Sequence, residues 1–179
     1  AESISSPETF WGKQAEKYVT WFKGWERVSH VDFGSGDIRW FEGAKLNASY
    51  NCLDRHLESK GDDTAIIWEG DEPGDERLIS YRELHGEVSR FGNLLKSRGV
   101  NKGDRVAIYM PMIPEAAVAM LGCARIGAIH SVVFGGFSPD SLRDRILDSD
   151  CRVIVTADEG PRGGRNVPLK ANVETALEG

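Results

Sequence analysis

The residues best suited to chemistry in this sequence lie in two glycine-bearing stretches. In "DEGPRGGR", residues 158–165, Arg162 and Arg165 stand either side of Gly163 and Gly164. Guanidinium groups make paired hydrogen bonds to phosphate or carboxylate, and glycines clear side chains from the approach, so this stretch suits the capture of an anion. In "VVFGGFS", residues 132–138, Gly135 and Gly136 let the backbone come close to a flat ligand, and Phe134 offers a ring face to a base. Each stretch also has a plainer reading. The first suits a solvated loop whose arginines pair with surface carboxylates, and the second a tight strand-to-helix turn with Phe134 and Phe137 in the core. Spacing alone leaves both open.

Other chemistries find no support. "GSGDIR" begins like a dinucleotide fingerprint at Gly34 and Gly36, but Arg39 holds the third glycine position and no strand is expected before it. "GPRGGR" lacks the Lys and Ser/Thr of a phosphate-binding P-loop. His30, His56, His85 and His130 have no metal-ligand spacing, and no Ser sits in a G-x-S-x-G setting. Cys52, Cys123 and Cys151 are an odd set without C-x-x-C spacing, which argues against a disulfide framework or zinc site and fits a reducing cytoplasm.

The elements that must hold the two stretches fall into unlike halves. Residues 1 to about 60 carry four of the five tryptophans and read as short helices and loops packed by aromatics. Ser6 and Pro7 open one helix, and Leu53 and Leu57 lie on one face of a second within "NASYNCLDRHLES". From residue 64 the pattern changes. "TAIIWEGDEPGDERLISY" predicts a hairpin, and the following helix has Ser80 and Glu83 as a capping box, Leu84, Val88, Phe91 and Leu95 on one face, and Gly99 as its stop.

"DRVAIYM", "AIHSVVF" and "CRVIVTA" then read as strands alternating with helices that open near Pro114 and Pro139, the latter capped by Ser138. Such alternation predicts an α/β fold with right-handed crossovers in a mostly parallel sheet. Ligands of these sheets bind beyond the C-terminal strand ends, where both glycine-bearing stretches fall.

Composition bounds the partners. With 179 residues, 40% of them hydrophobic, the chain has material for a real core. Its formal net charge of −6 is the opposite of what a general nucleic-acid or anionic-membrane binder needs, so any anion site must be local. No apolar stretch reaches the length of a membrane span, and "AESISSPETFW" has no signal-peptide pattern.

Three segments in one register, "WFEGAKLNASYNCLDRHL" at 40–57, "GDRVAIYMPMIPEAAVAMLGCARIGAIHSVVFGGFSPDSLRDRI" at 103–146 and "ADEGPRGGRNVPLK" at 157–170, resemble the AMP-forming acetyl-CoA synthetases. That family lies within the superfamily of acyl- and aryl-CoA ligases, luciferases and adenylation domains. The resemblance implies a helical, Trp-rich N-terminal module over residues 1–60 and the first part of an AMP-binding, adenylate-forming domain over 61–179. It implies acetate, ATP and CoA as substrates, with acetyl-adenylate as intermediate. It places Arg162, Gly163, Gly164 and Arg165 at the nucleotide end of CoA, with Phe134, Gly135 and Gly136 against its adenine.

The family's Ser/Thr/Gly-rich phosphate loop, its magnesium motif and its catalytic lysine have no counterpart in these residues. The resemblance therefore implies the N-terminal portion of a longer enzyme, inactive by itself, with no catalytic residue and no Mg ligand here. A sheet interrupted in this way would expose an edge, and self-association is expected to follow. The alternatives are a free-standing CoA- or nucleotide-binding module, and an interaction module that docks through its tryptophans.

Overall fold

The computed structural model describes residues 1–178. They form two compact units, residues 1–55 and 56–178.

The first unit opens with α1 (Glu2–Ser5) and α2 (Pro7–Tyr18). Pro7 takes the first helical turn as its fixed φ favours, but the Ser6 side chain makes no capping hydrogen bond. The expected loops between residues 27 and 42 are instead an antiparallel hairpin of β1 (Arg27–Asp32) and β2 (Asp37–Glu42). The Asp32 carboxylate builds its turn by accepting from the Gly34 N–H at 2.8 Å and the Ser35 hydroxyl at 2.7 Å. A strand does therefore precede "GSGDIR". The segment still cannot cradle a dinucleotide, because it leads into a second strand and not into a helix N-terminus.

The aromatic packing expected of this unit is present. Trp21, Trp25 and Phe41 have ring centroids 5.2–5.3 Å apart, and the Trp21 indole donates to the Ala15 carbonyl. The single helix expected in "NASYNCLDRHLES" is broken into α3 (Ala48–Cys52), a 3₁₀ turn (Asp54–His56) and α4 (Leu57–Lys60). Asn47 caps α3 by accepting from the Tyr50 N–H, and Leu53, at the break, is buried.

In the second unit β3 (Thr64–Glu69) pairs with β4 (Glu76–Ser80) as the expected hairpin. Then α5 (Tyr81–Ser97) begins on a complete capping box: the Ser80 hydroxyl accepts from the Glu83 N–H, and the Glu83 carboxylate accepts from the Ser80 N–H. Its face of Leu84, Val88 and Leu95 is buried, and Gly99 follows with φ of 82°.

The parallel sheet has order β6-β5-β7, built from β5 (Arg105–Met110), α6 (Pro114–Ile126), β6 (Ile129–Phe134), α7 (Pro139–Ser149) and β7 (Val153–Thr156). A short antiparallel ribbon, β8 (Gly160–Arg162) with β9 (Arg165–Val167), precedes α8 (Leu169–Leu177). The central strand β5 shows why the sheet needs helices on both faces. Val106 and Ile108 join Leu95, Ala119 and Cys123 in one apolar cluster, while Ala107 and Tyr109 join Leu142, Ile146, Leu169 and Val173 in another. Alternate side chains of one strand thus feed two cores, as expected of a buried parallel strand. No helix among the described residues is long and apolar enough to cross a membrane.

Candidate functional site

Both glycine-bearing stretches come together where the strands of this sheet end. β6 finishes at Phe134, and the Phe137 N–H donates back to the Phe134 carbonyl at 3.0 Å, closing a tight turn over residues 134–137. The Ser138 hydroxyl then accepts from the Ser141 N–H and caps α7. The turn fits the plainer reading of "FGGFS" in its backbone and in Phe137, which packs against the core cluster, but not in Phe134. Phe134 is more than half exposed, and Phe137 is half-buried, edge-on to Phe134 at 5.6 Å. A side chain on Gly136 would run into the Phe134 ring and the Arg162 guanidinium, so close approach explains this glycine.

"DEGPRGGR" is a ribbon where a loop was expected. Gly163 and Gly164 take φ of 56° and 75°, the pair of positive values that a type I′ hairpin turn demands and that glycine tolerates without strain. The two-residue turn puts Arg162 directly opposite Arg165 in the register, on the same face of the ribbon. Like charges so placed oppose each other by up to about 1 kcal/mol. Neither has a carboxylate partner among the described residues, unlike Arg39, Arg77 and Arg82. The pairing with surface carboxylates that a merely solvated loop would show is absent from both.

The Arg162 guanidinium lies over the Phe134 ring, 4.7 Å from its centroid, at a distance favourable for cation–π attraction. One face of Phe134 is thereby covered by Arg162, so the wall offered to a flat ligand is the stacked pair and not a bare ring. Phe134, Gly135, Gly136, Arg162 and Gly163 line one cleft of about 460 Å³, while Gly164 and Arg165 complete the ribbon at its edge.

Sequence reasoning did not find the cleft's apolar floor. Leu169 of α8 is buried between the two loops, its methyl carbons 3.5 and 3.3 Å from where Cβ atoms on Gly135 and Gly160 would lie. Tyr109 was also missed. Nothing in an apolar strand marks one tyrosine as special, yet its hydroxyl meets the carbonyls of Gly135 and Phe137.

No group of three or more His, Cys, Asp or Glu among the described residues converges as a metal site. The arrangement can bind and orient an elongated ligand that has an anionic group and a flat group. The described residues that line the cleft include no Ser, Thr, Cys, Lys or His.

The family model described as AMP-binding enzyme matches residues 53–178, about two-thirds of the sequence. The chain belongs to the AMP-binding enzyme family. A second model, described as the acetyl-coenzyme A synthetase N-terminus, matches residues 1–52 of this AMP-binding family member. The acetyl-coenzyme A synthetase of Alkalilimnicola ehrlichii is 64% identical over 98% of the chain, and that of Magnetococcus marinus 65% identical over 98%. Acetyl-coenzyme A synthetase 2 of Pseudomonas aeruginosa is 63% identical over 99%. In each case the AMP-binding chain spans 27% of the relative's length. The earlier resemblance and the fold class both agree with these matches.

Proposed function

We propose that this chain is the N-terminal portion of an acetate:CoA ligase, in which it supplies part of the site for the nucleotide end of CoA. The observation that carries the site reading is the ribbon. Two arginines without carboxylate partners face the same side across a turn of two glycines, and an anion held between them relieves their repulsion. The reading of the reaction is supported by relatives named acetyl-coenzyme A synthetase at over 60% identity.

In that reaction an acetate oxygen attacks the α-phosphorus of ATP and pyrophosphate leaves. The CoA sulfur then attacks the acyl carbonyl and AMP leaves, the thiol proton passing to solvent. Both bond-making steps belong to residues outside this chain. Arg162 and Arg165 bind phosphate oxygens of CoA, Gly163 and Gly164 keep the approach clear, and the Arg162–Phe134 stack with Gly135 and Gly136 forms a wall for its adenine. No group of three or more His, Cys, Asp or Glu converges among the described residues, and no step is routed through a metal ion here. The proposed setting is the cytoplasm, with small molecules and neither nucleic acid nor membrane as partners.

Substitution in the full-length protein tests this. Arg162→Ala and Arg165→Ala should each raise the KM for CoA, while acetate-dependent pyrophosphate exchange, which needs no CoA, keeps its rate. Hydrogen bonds to charged groups contribute roughly 1.5–3 kcal/mol, which corresponds to about a tenfold to hundredfold change. If one arginine reads the 3′-phosphate, wild type prefers CoA to dephospho-CoA and that variant loses the preference. Unchanged CoA kinetics in both variants would overturn the assignment.

A further inference from the structure

The turn over residues 134–137 is held from below by two side chains that sequence reasoning did not single out. Tyr109, in the middle of the sheet, is completely buried. Its hydroxyl is 3.1 Å from the Gly135 carbonyl and 2.9 Å from the Phe137 carbonyl, and it accepts from the Asn172 side-chain amide at 3.1 Å. A phenol has a single proton to give, so the Asn172 N–H matters. By occupying a lone pair of the hydroxyl oxygen, it leaves the O–H free to point only toward the two carbonyls. The partners come from β5, the 134–137 turn and α8, and the two side chains stand 63 residues apart in sequence. The bonded carbonyls flank Gly136, the residue against which Arg162 and Phe134 close.

We propose that Tyr109 and Asn172 form a positioning pair that fixes the Phe134–Phe137 turn, and with it the wall of the CoA nucleotide site. The inference rests on the site reading given above. Neither side chain touches the ligand. The pair acts by holding the Gly135 and Phe137 carbonyls so that the Phe134 ring keeps the inclination at which Arg162 stacks on it. Without the phenol oxygen the Asn172 amide loses its acceptor and the two carbonyls lose the proton they share, so the turn keeps its own backbone bond but is held less firmly against β5 and α8.

The test uses the full-length protein with Tyr109→Phe, Asn172→Ala, the double variant, and Arg162→Ala alongside. Phenylalanine keeps the buried ring, so Tyr109→Phe preserves the packing, and Asn172 is half-buried on a helix where alanine is well tolerated. Each single variant should raise the KM for CoA by roughly fivefold to tenfold, the size expected of one hydrogen bond, and leave the KM for ATP within about twofold. The double variant should be no worse than Tyr109→Phe, because both act through one oxygen.

A general structural role would move both constants together. If Arg162→Ala weakens CoA but Tyr109→Phe and Asn172→Ala do not, or if they weaken ATP equally, the positioning role is wrong and the site reading stands. If Arg162→Ala and Arg165→Ala both leave CoA unchanged, the site reading itself fails and the positioning role falls with it.

Discussion

Leu169→Ala is expected to lower stability by about 2–5 kcal/mol, the range found for leucine truncations in close-packed cores. Leu169 is 1% exposed and lies in the cluster that joins α7, α8 and one face of β5. The loss is read as a lower melting point or denaturant midpoint in thermal or denaturant unfolding. Under the proposed reading the substitution should also weaken CoA binding by the full-length protein, because the removed methyl groups wedge the Gly135 turn apart from the ribbon at Gly160. Leu142→Ala separates the two effects. Leu142 is equally buried in the same cluster but does not line the cleft, so its truncation should lose stability and, under the same reading, keep CoA affinity. A Leu169→Ala protein that melts like wild type would show that the helix is not packed as described.

The second large effect concerns Cys123. It is fully buried on α6 in the other core, and burial pushes its thiol up to about 11 from an ordinary 9.0. At pH 8 this leaves it with about a hundredfold less thiolate than an ordinary cysteine, before access is considered. Iodoacetamide should therefore label the exposed Cys52 in the native protein and reach Cys123 only after unfolding. The same shift makes stability depend on pH. The folded state keeps the proton that the unfolded chain gives up, so the contribution is full below pH 9 and is lost as the pH rises through 11, by up to about 3 kcal/mol. Native labelling of Cys123 at the rate of Cys52, or a stability flat from pH 8 to 11, would contradict the burial.

What was legible in the sequence was whatever is decided locally. The capping box of Ser80 and Glu83, the prolines opening α6 and α7, and the alternation of apolar strands with helices needed only neighbours in the chain. The hairpin of residues 27–42 was hidden because its strands carry Arg27, His30, Asp32 and Arg39 among the apolar residues, which blurs the period of two. The ribbon of residues 160–167 had its Gly-Gly turn in plain view, but its three-residue strands are too short to show any period.

The candidate site divides in the same way. Arg162, Arg165 and the Phe134–Gly136 stretch declared themselves by residue type. Tyr109, Leu169 and Asn172 are ordinary residues, and only the fold brings them beneath the turn.

The brevity of the ribbon also sets how often it comes apart. It has three residue pairs, and of its strand residues only Gly160 is buried. Segments of this kind lie near the bottom of the range of local opening free energies, far below that of the strands beneath them. The ribbon thus opens while the rest of the protein stays folded, and its amide protons exchange with solvent ahead of those of β5. Under the proposed reading, CoA binds only the closed form and adds to the opening free energy about 2.7 kcal/mol at a hundredfold excess over its Kd. The two arginines are then also two cleavage points for an arginine-specific protease, and how fast they are cut reports how much of the site is occupied.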